Sequence, residues 1–160
     1  MRKLSTLLLK HKYYLGENIL MVAVRFNLVS AVMFLFESGF SEKKQKRCIN
    51  ICLAIAAAKG HVELIPILIE KGAKINEPNQ FRATPMEVAV HFKQYKFIEE
   101  IIEREPKVME EGGTAEEALR YAIRKQKNRK MVTYMFKKGI SVHVTNYKNQ
   151  TLLHEVLKEE

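Results

Sequence analysis

The segment from Ala54 to Asn76, AIAAAKGHVELIPILIEKGAKIN, narrows most sharply what this chain can become. It reads as two short helices, split at Lys59-Gly60-His61 and stopped at Lys71-Gly72-Ala73. Ala54, Ala56, Ala57 and Ala58 give the first a thin wall that lets another helix come close. Leu64, Ile65, Ile67, Leu68 and Ile69 give the second a thick apolar stripe at helical spacing. Gly72 falls where a helix C-terminus takes a left-handed residue. A pair this short cannot bury both apolar faces alone, so it requires copies of itself on either side.

The copies are present. Stepping back 33 positions puts Gly39 at Gly72, Asn27 at Gly60, Ala23 at Ala56 and Leu20 at Leu53. Stepping forward by the same amount puts Thr84 at Ile51, Met86 at Leu53, Ala89 at Ala56 and Ile98 at Ile65, and a further step reaches Leu119 and Ala122. One residue is then inserted, because the next helix-ending glycine is Gly139. Thr84 follows Gly72 at the same interval as Thr151 follows Gly139.

A period of 33 residues, Thr84-Pro85-Met86-Glu87-Val88-Ala89, the closing Thr151-Leu152-Leu153-His154 and Lys59-Gly60-His61-Val62-Glu63 together resemble ankyrin repeats. The resemblance covers about nine tenths of the chain, from Gly16 onward, and is most specific between Ala54 and Asn76. It implies an all-α solenoid of stacked helix–turn–helix units: about four repeats, an N-terminal cap helix and a C-terminal half repeat. The divisions are 1–15 for the cap, 16–48, 49–81, 82–111 and 112–145 for the repeats, and 146–160 for the partial repeat or C-terminal cap. The pattern carries no catalytic residues.

Local signals refine this plan. Leu4, Leu7 and Leu8 share one helical face and suit a cap over the first repeat. The apolar run containing them is too short for a secretory signal or a membrane span. Ser41–Arg47 is polar and basic, and falls where a projecting loop is expected, either a solvated connection or a nuclear-localisation or acid-binding finger. Pro66 falls near the first turn of its helix, where a missing N–H is cheap. Thr84, Pro85 and Glu87 compose a capping box with proline at the first helical position. Glu105-Pro106 replaces the expected glycine, so an irregular loop is expected from Glu105 to Glu111. Thr114-Ala115-Glu116-Glu117 reads as another capping box, about one turn early, with a longer first helix behind it.

Composition limits the function. With 160 residues the chain is one domain with a real core, and 27 Lys and Arg against 18 Asp and Glu leave a net charge of +9 that attracts acidic partners. Cys48 and Cys52 are too few for a secreted disulfide framework and lack the further ligands of a zinc site, which fits a reducing, cytoplasmic location. Cys52 is expected to be buried and Cys48 exposed on the loop. No nucleophile motif, phosphate-binding glycine loop or metal-ligand cluster is recognisable, so neither catalysis nor a cofactor is expected. The resemblance implies that His61 and His154 hydrogen-bond loop backbone.

The resemblance also implies that finger tips and the outward positions of each first helix line a concave binding face. On this chain those positions include Tyr14, Arg25, Phe26, Arg47, Lys59, Phe81, His91, Phe92, Arg124, Lys125 and Tyr147. Phe26, Phe81, Phe92 and Tyr147 are the informative members, because the repeat pattern does not need large apolar groups there. Packing of Phe81 and Phe92 on each other is the structural alternative. The expectation is a monomeric, non-catalytic module that captures an acidic protein segment, rather than nucleic acid or a membrane. Two other readings stay open: a binder of nucleic acid or acidic phospholipid through Lys43–Arg47 and Arg124–Lys130, and the targeting domain of a larger pathogen effector acting in host cytoplasm.

Overall fold

A computed structural model describes residues 19–38, 42–79, 82–110, 112–123 and 128–140, and within 42–47 the backbone alone. Among these residues are eight α-helices, one short 3-10 turn and no strand. The helices are α1 (Ile19–Arg25), α2 (Val29–Glu37), α3 (Glu42–Lys59), α4 (Leu64–Glu70), α5 (Pro85–His91), α6 (Tyr95–Arg104), α7 (Thr114–Tyr121) and α8 (Arg129–Lys137). The odd-numbered helices form one layer, α1 packing on α3, α3 on α5 and α5 on α7. Each of the first three also packs on the helix that follows it in the chain.

Side chains one period apart occupy the same place in the core. Leu20, Leu53, Met86 and Leu119 are all fully buried in the first layer, with Ala23, Ala56, Ala89 and Ala122 one turn on. Val32, Ile65, Ile98 and Val132 repeat the arrangement in the second layer. The alanines carry no bulk, so adjacent first-layer helices approach closely, while the larger residues fill the space between layers. Full burial of each such large side chain contributes roughly 1.5–3 kcal/mol.

The backbone keeps the same period at the turns. The N–H groups of Leu28, His61 and Gln94 donate to the carbonyls of Ala23, Ala56 and Ala89 at 2.9, 3.0 and 2.8 Å. Each closure passes through a residue at positive φ: Asn27 at 53°, Gly60 at 73° and Lys93 at 59°. The fourth such bond runs from Asn128 to Ala122 at 3.4 Å, one position later than the period requires. The inserted residue therefore lies in the fourth turn, between Ala122 and Asn128.

Helix ends follow local chemistry in three places. Thr84 accepts from the Glu87 N–H at 3.2 Å while the Glu87 carboxylate accepts from the Thr84 N–H at 2.8 Å, with Pro85 opening α5. Pro66 is the third residue of α4 and leaves its ladder intact. The Asn128 side chain accepts from the Met131 N–H and caps α8.

Four expectations are corrected. Residues 42–47 are not a loop but the opening of α3. Glu42-Lys43-Lys44-Gln45-Lys46-Arg47 contains only good helix formers, with an acid in the first turn, so nothing stops the helix from extending. That extension carries Cys48 off the expected loop and into the core at 4 % exposure, one turn before the buried Cys52. The segment after α6 is a 3-10 turn, Pro106–Met109, rather than an irregular loop. Proline fixes its first φ and Val108 is driven into the core.

The fourth correction concerns α7. Thr114 is its first helical residue and not its cap; Gly113 holds the cap position in extended backbone with no side-chain bond. A Cβ at Gly113 would stand 2.6 Å from the Val108 carbonyl oxygen, so the backbone crosses too closely for a capping side chain. Thr114 instead donates to the Asn76 side chain at 3.2 Å, and Glu116 accepts the Gly112 N–H at 2.9 Å while pairing with Arg120 at 2.8 Å. The early start of α7 is as expected.

Candidate functional site

Helices α1, α3 and α5 end within one residue of the same register position, and the described outward candidates sit on those ends. Arg25 closes α1 and Phe26 follows it; Lys59 closes α3; His91 closes α5 and Phe92 follows it. The left-handed residue that comes next turns the chain sharply back, which leaves these side chains on the rim of the layer.

Each end is wired to the next repeat. His61 donates through Nε2 to the Arg25 carbonyl at 3.0 Å, and Gln94 donates through Nε2 to the Ala58 carbonyl at 3.1 Å. Both bonds span the same sequence separation, so the row is indexed by the repeat itself. His61 thus has the backbone-binding role expected of it.

Two kinds of residue on this row have different explanations. Cations at Arg25 and Lys59 suit the negative end of a helix dipole whether or not they bind anything. Phenylalanine has no such reason to be there. Phe26 is 66 % exposed and Phe92 is 53 % exposed. Phe92 lies well inside the stack, so its exposure belongs to the position and not to a stack end.

A small ring cluster surrounds Phe92. His91 meets it edge-on at 4.7 Å and 76°, and the His91 Nδ1 lies 2.6 Å from the Tyr121 hydroxyl of the next repeat. Tyr121 was not singled out in the sequence. The signal was available: its register partners are Val22, Ile55 and Val88, so a polar tip on a half-buried apolar stripe must find a partner across the joint. The structure therefore brings His91, Phe92 and Tyr121 together and sets Phe26 and Lys59 at the equivalent place in the two earlier repeats. Tyr14, Phe81, Arg124, Lys125 and Tyr147 lie outside the described residues, as does the Arg47 side chain; so do Leu4, Leu7, Leu8 and His154.

Leu28, Met33 and Phe34 form a second exposed apolar group, on the turn before α2 and on α2 itself. Their register explains two of them. Leu28 corresponds to His61, which reaches back to Arg25, and Phe34 corresponds to Tyr134, whose hydroxyl donates back to the Tyr95 carbonyl at 3.2 Å. These positions face whatever precedes a repeat, which makes them a stacking surface and separates them from the Phe26–Phe92 row. Phe34 is correspondingly more than half exposed.

Elsewhere among the described residues no three His, Cys, Asp or Glu side chains converge as a metal site, and no helix is long and apolar enough to cross a membrane. The Cys52 thiol is pushed far up by its hydrogen bond with Cys48 and by burial, which keeps it in the unreactive thiol form.

The family model for ankyrin repeats, a unit of three copies, matches residues 20–111 and again 53–146. Alpha-latrotoxin-Lg1a of Latrodectus geometricus is 31 % identical over 111 residues, which cover 66 % of this chain and 8 % of that protein. The chain thus spans a small fraction of the length of the relative it matches.

Proposed function

Since the chain belongs to the ankyrin-repeat family, whose repeats are generally protein–protein interaction modules, we propose that it is a non-catalytic module holding an acidic protein segment against its first-layer helix ends. The observation that carries this reading is Phe92, an exposed aromatic within the stack, aligned by register with Lys59 and Phe26. Exposed aromatics beside cations are the composition of an interface hot spot. The rigid, repeat-indexed scaffold supports it too, because little entropy is lost when a preformed surface binds. The cationic rim adds attraction for an acidic partner and speeds encounter with it.

The test uses the chain as bait in nuclease-treated cell lysate, beside a Phe26→Ala, Phe92→Ala double variant. Both positions are exposed, so the variant should keep its helical content. The expected result is a discrete protein retained by the wild type, with affinity lowered by roughly 2–4 kcal/mol in the variant. Equal retention by both would remove the aromatic row from the function. Binding that returns only when nucleic acid or acidic lipid is restored would transfer the function to Lys43–Arg47 and Arg124–Lys130.

A further inference from the structure

The step between repeats limits what conformation a segment bound along this row adopts. The positions concerned are related by 33 residues: Arg25-Phe26, Ala58-Lys59 and His91-Phe92. None is a carboxylate, and the second members read phenylalanine, lysine, phenylalanine. The structural equivalence of the three is set by the matching turn closures at Leu28, His61 and Gln94. A ligand crossing the helix ends therefore meets an aromatic, a cation and an aromatic at even intervals.

Adjacent packed helices lie about 8–10 Å apart, so Phe26 and Phe92 are separated by about 16–20 Å across two steps. A polyproline-II segment advances about 3.1 Å per residue with about 3 residues per turn. One turn covers about 9.3 Å and returns the side chain to the same face, and two turns cover about 18.6 Å. An extended β-strand covers about 9.9 Å in the same number of residues, but its side chain then points to the opposite face. An α-helix needs a heptad for each step, about 10.5 Å, and overshoots to about 21 Å over two, drifting by about 20° per heptad. Polyproline-II geometry falls inside the interval at both steps and keeps all three side chains on one face.

Resting on the reading of the row as a docking surface, we propose that its ligand is a polyproline-II segment with an apolar or proline side chain, a carboxylate one turn later and a second apolar or proline side chain one turn after that. Phe26 and Phe92 pack on the outer two, as aromatic grooves do on proline-rich chains, and Lys59 pairs with the carboxylate between them. Charge complementarity fixes the middle position and the aromatic interval fixes the outer ones.

Fluorescence anisotropy with the full chain and labelled synthetic peptides tests this. The first peptide carries Phe-Pro-Ala-Glu-Pro-Ala-Phe; the second has one residue inserted before the glutamate; the third replaces glutamate by lysine. The first should bind and the other two should bind at least about tenfold more weakly. Lys59→Glu, at an exposed position, should reverse the preference between the first and third. Equal binding of the first and second, tighter binding of a heptad-spaced helical peptide, or no saturable binding of the first peptide overturns the register. If Phe92→Ala weakens every peptide alike, the docking surface survives that result. If no peptide responds to Phe26→Ala or Phe92→Ala, the docking surface itself is lost. Should Lys59→Glu fail to fold, the comparison of the first and third peptides on the wild type still decides the charge assignment.

Discussion

The second and third repeats are joined by one device used twice, whereas the fourth is joined by several that occur once. His61 and Gln94 each reach back across the same sequence interval to a first-layer carbonyl. The fourth repeat has an extra residue in its turn, and Asn128 at that place caps its own helix instead. Its hold on the third repeat includes the Tyr121 hydroxyl against His91, Tyr134, which stacks edge-on against Tyr95 at 4.8 Å and 79°, and Lys138, which pairs with Glu99 at 2.7 Å. Thr114 adds a bond to Asn76 of the second repeat. A period specifies the helix pairs; where it slips, the joint is rebuilt from whatever side chains the neighbouring surfaces present.

The largest expected effect asks whether both kinds of joint belong to one cooperative unit. Leu68 and Met135 hold equivalent places in the second and fourth repeats, and both are fully buried. Leu68→Ala and Met135→Ala should each cost about 2–5 kcal/mol. Because the chain has no tryptophan, urea unfolding is best followed by far-UV circular dichroism. A single transition shifted by either variant is expected. Two transitions, with Met135→Ala moving only the weaker, would show that the irregular joint does not transmit stability.

Glycine substitutions separate steric from conformational causes. Gly113 sits at an ordinary φ of −74° but has backbone oxygens of Val108 and Glu110 within 2.8 Å of a built Cβ. Gly113→Ala should cost about 1–3 kcal/mol through displacement of that backbone. Gly72 has open space around it but a φ of 95°, so Gly72→Ala should cost about 1–2 kcal/mol. Gly72→Asn should recover part of the second loss, since asparagine tolerates left-handed backbone, and Gly113→Asn should recover none. The reverse pattern in thermal unfolding would refute both assignments.

Next come the repeated bonds. His61→Ala and Gln94→Ala should each lose about 0.5–1.5 kcal/mol, and by similar amounts if the device is the same one. A clear inequality in denaturant midpoints would mean that the matching geometry hides different surroundings.

Legibility divides along the same line. Gly60, Gly72, Pro66 and the Thr84–Glu87 box could be read from the chain because each acts within a few residues of itself. The alanine and leucine ladders could be read because the period is long and kept in phase. The early start of α3 was hidden by the expectation that a basic run is a loop, although its residues are strong helix formers. Tyr134 was not legible, and Tyr121 only in part: its register marks a polar tip that needs a partner, but no local spacing identifies His91, or Tyr95 with Glu99, across a joint. On the candidate row the sequence located Phe26, Lys59 and Phe92, but not the Tyr121 hydroxyl beside His91.

The smallest effect is electrostatic and distinguishes a charge inside one repeat from a charge across two. The Lys138 ammonium, with the Tyr134 hydroxyl, lowers the Glu99 pKa, and Lys74, with Asn50, does the same for Glu77 within a single repeat. A lowered pKa in the folded state means that the stabilisation is present above the ordinary glutamate range and is lost as pH falls through the lowered value. Both contributions therefore vanish on the acid side, and salt weakens both because the groups are exposed. They differ in reach. Lys138→Met should return the Glu99 pKa toward its ordinary value in an NMR titration and also loosen the Tyr134–Tyr95 ring contact, seen as a change in cross-repeat nuclear Overhauser effects. Lys74→Met should move the Glu77 pKa upward and leave those cross-repeat signals unchanged. If Lys138→Met shifts the carboxylate but not the ring contact, the aromatic pair holds its place without the ion pair, which is then a surface accompaniment.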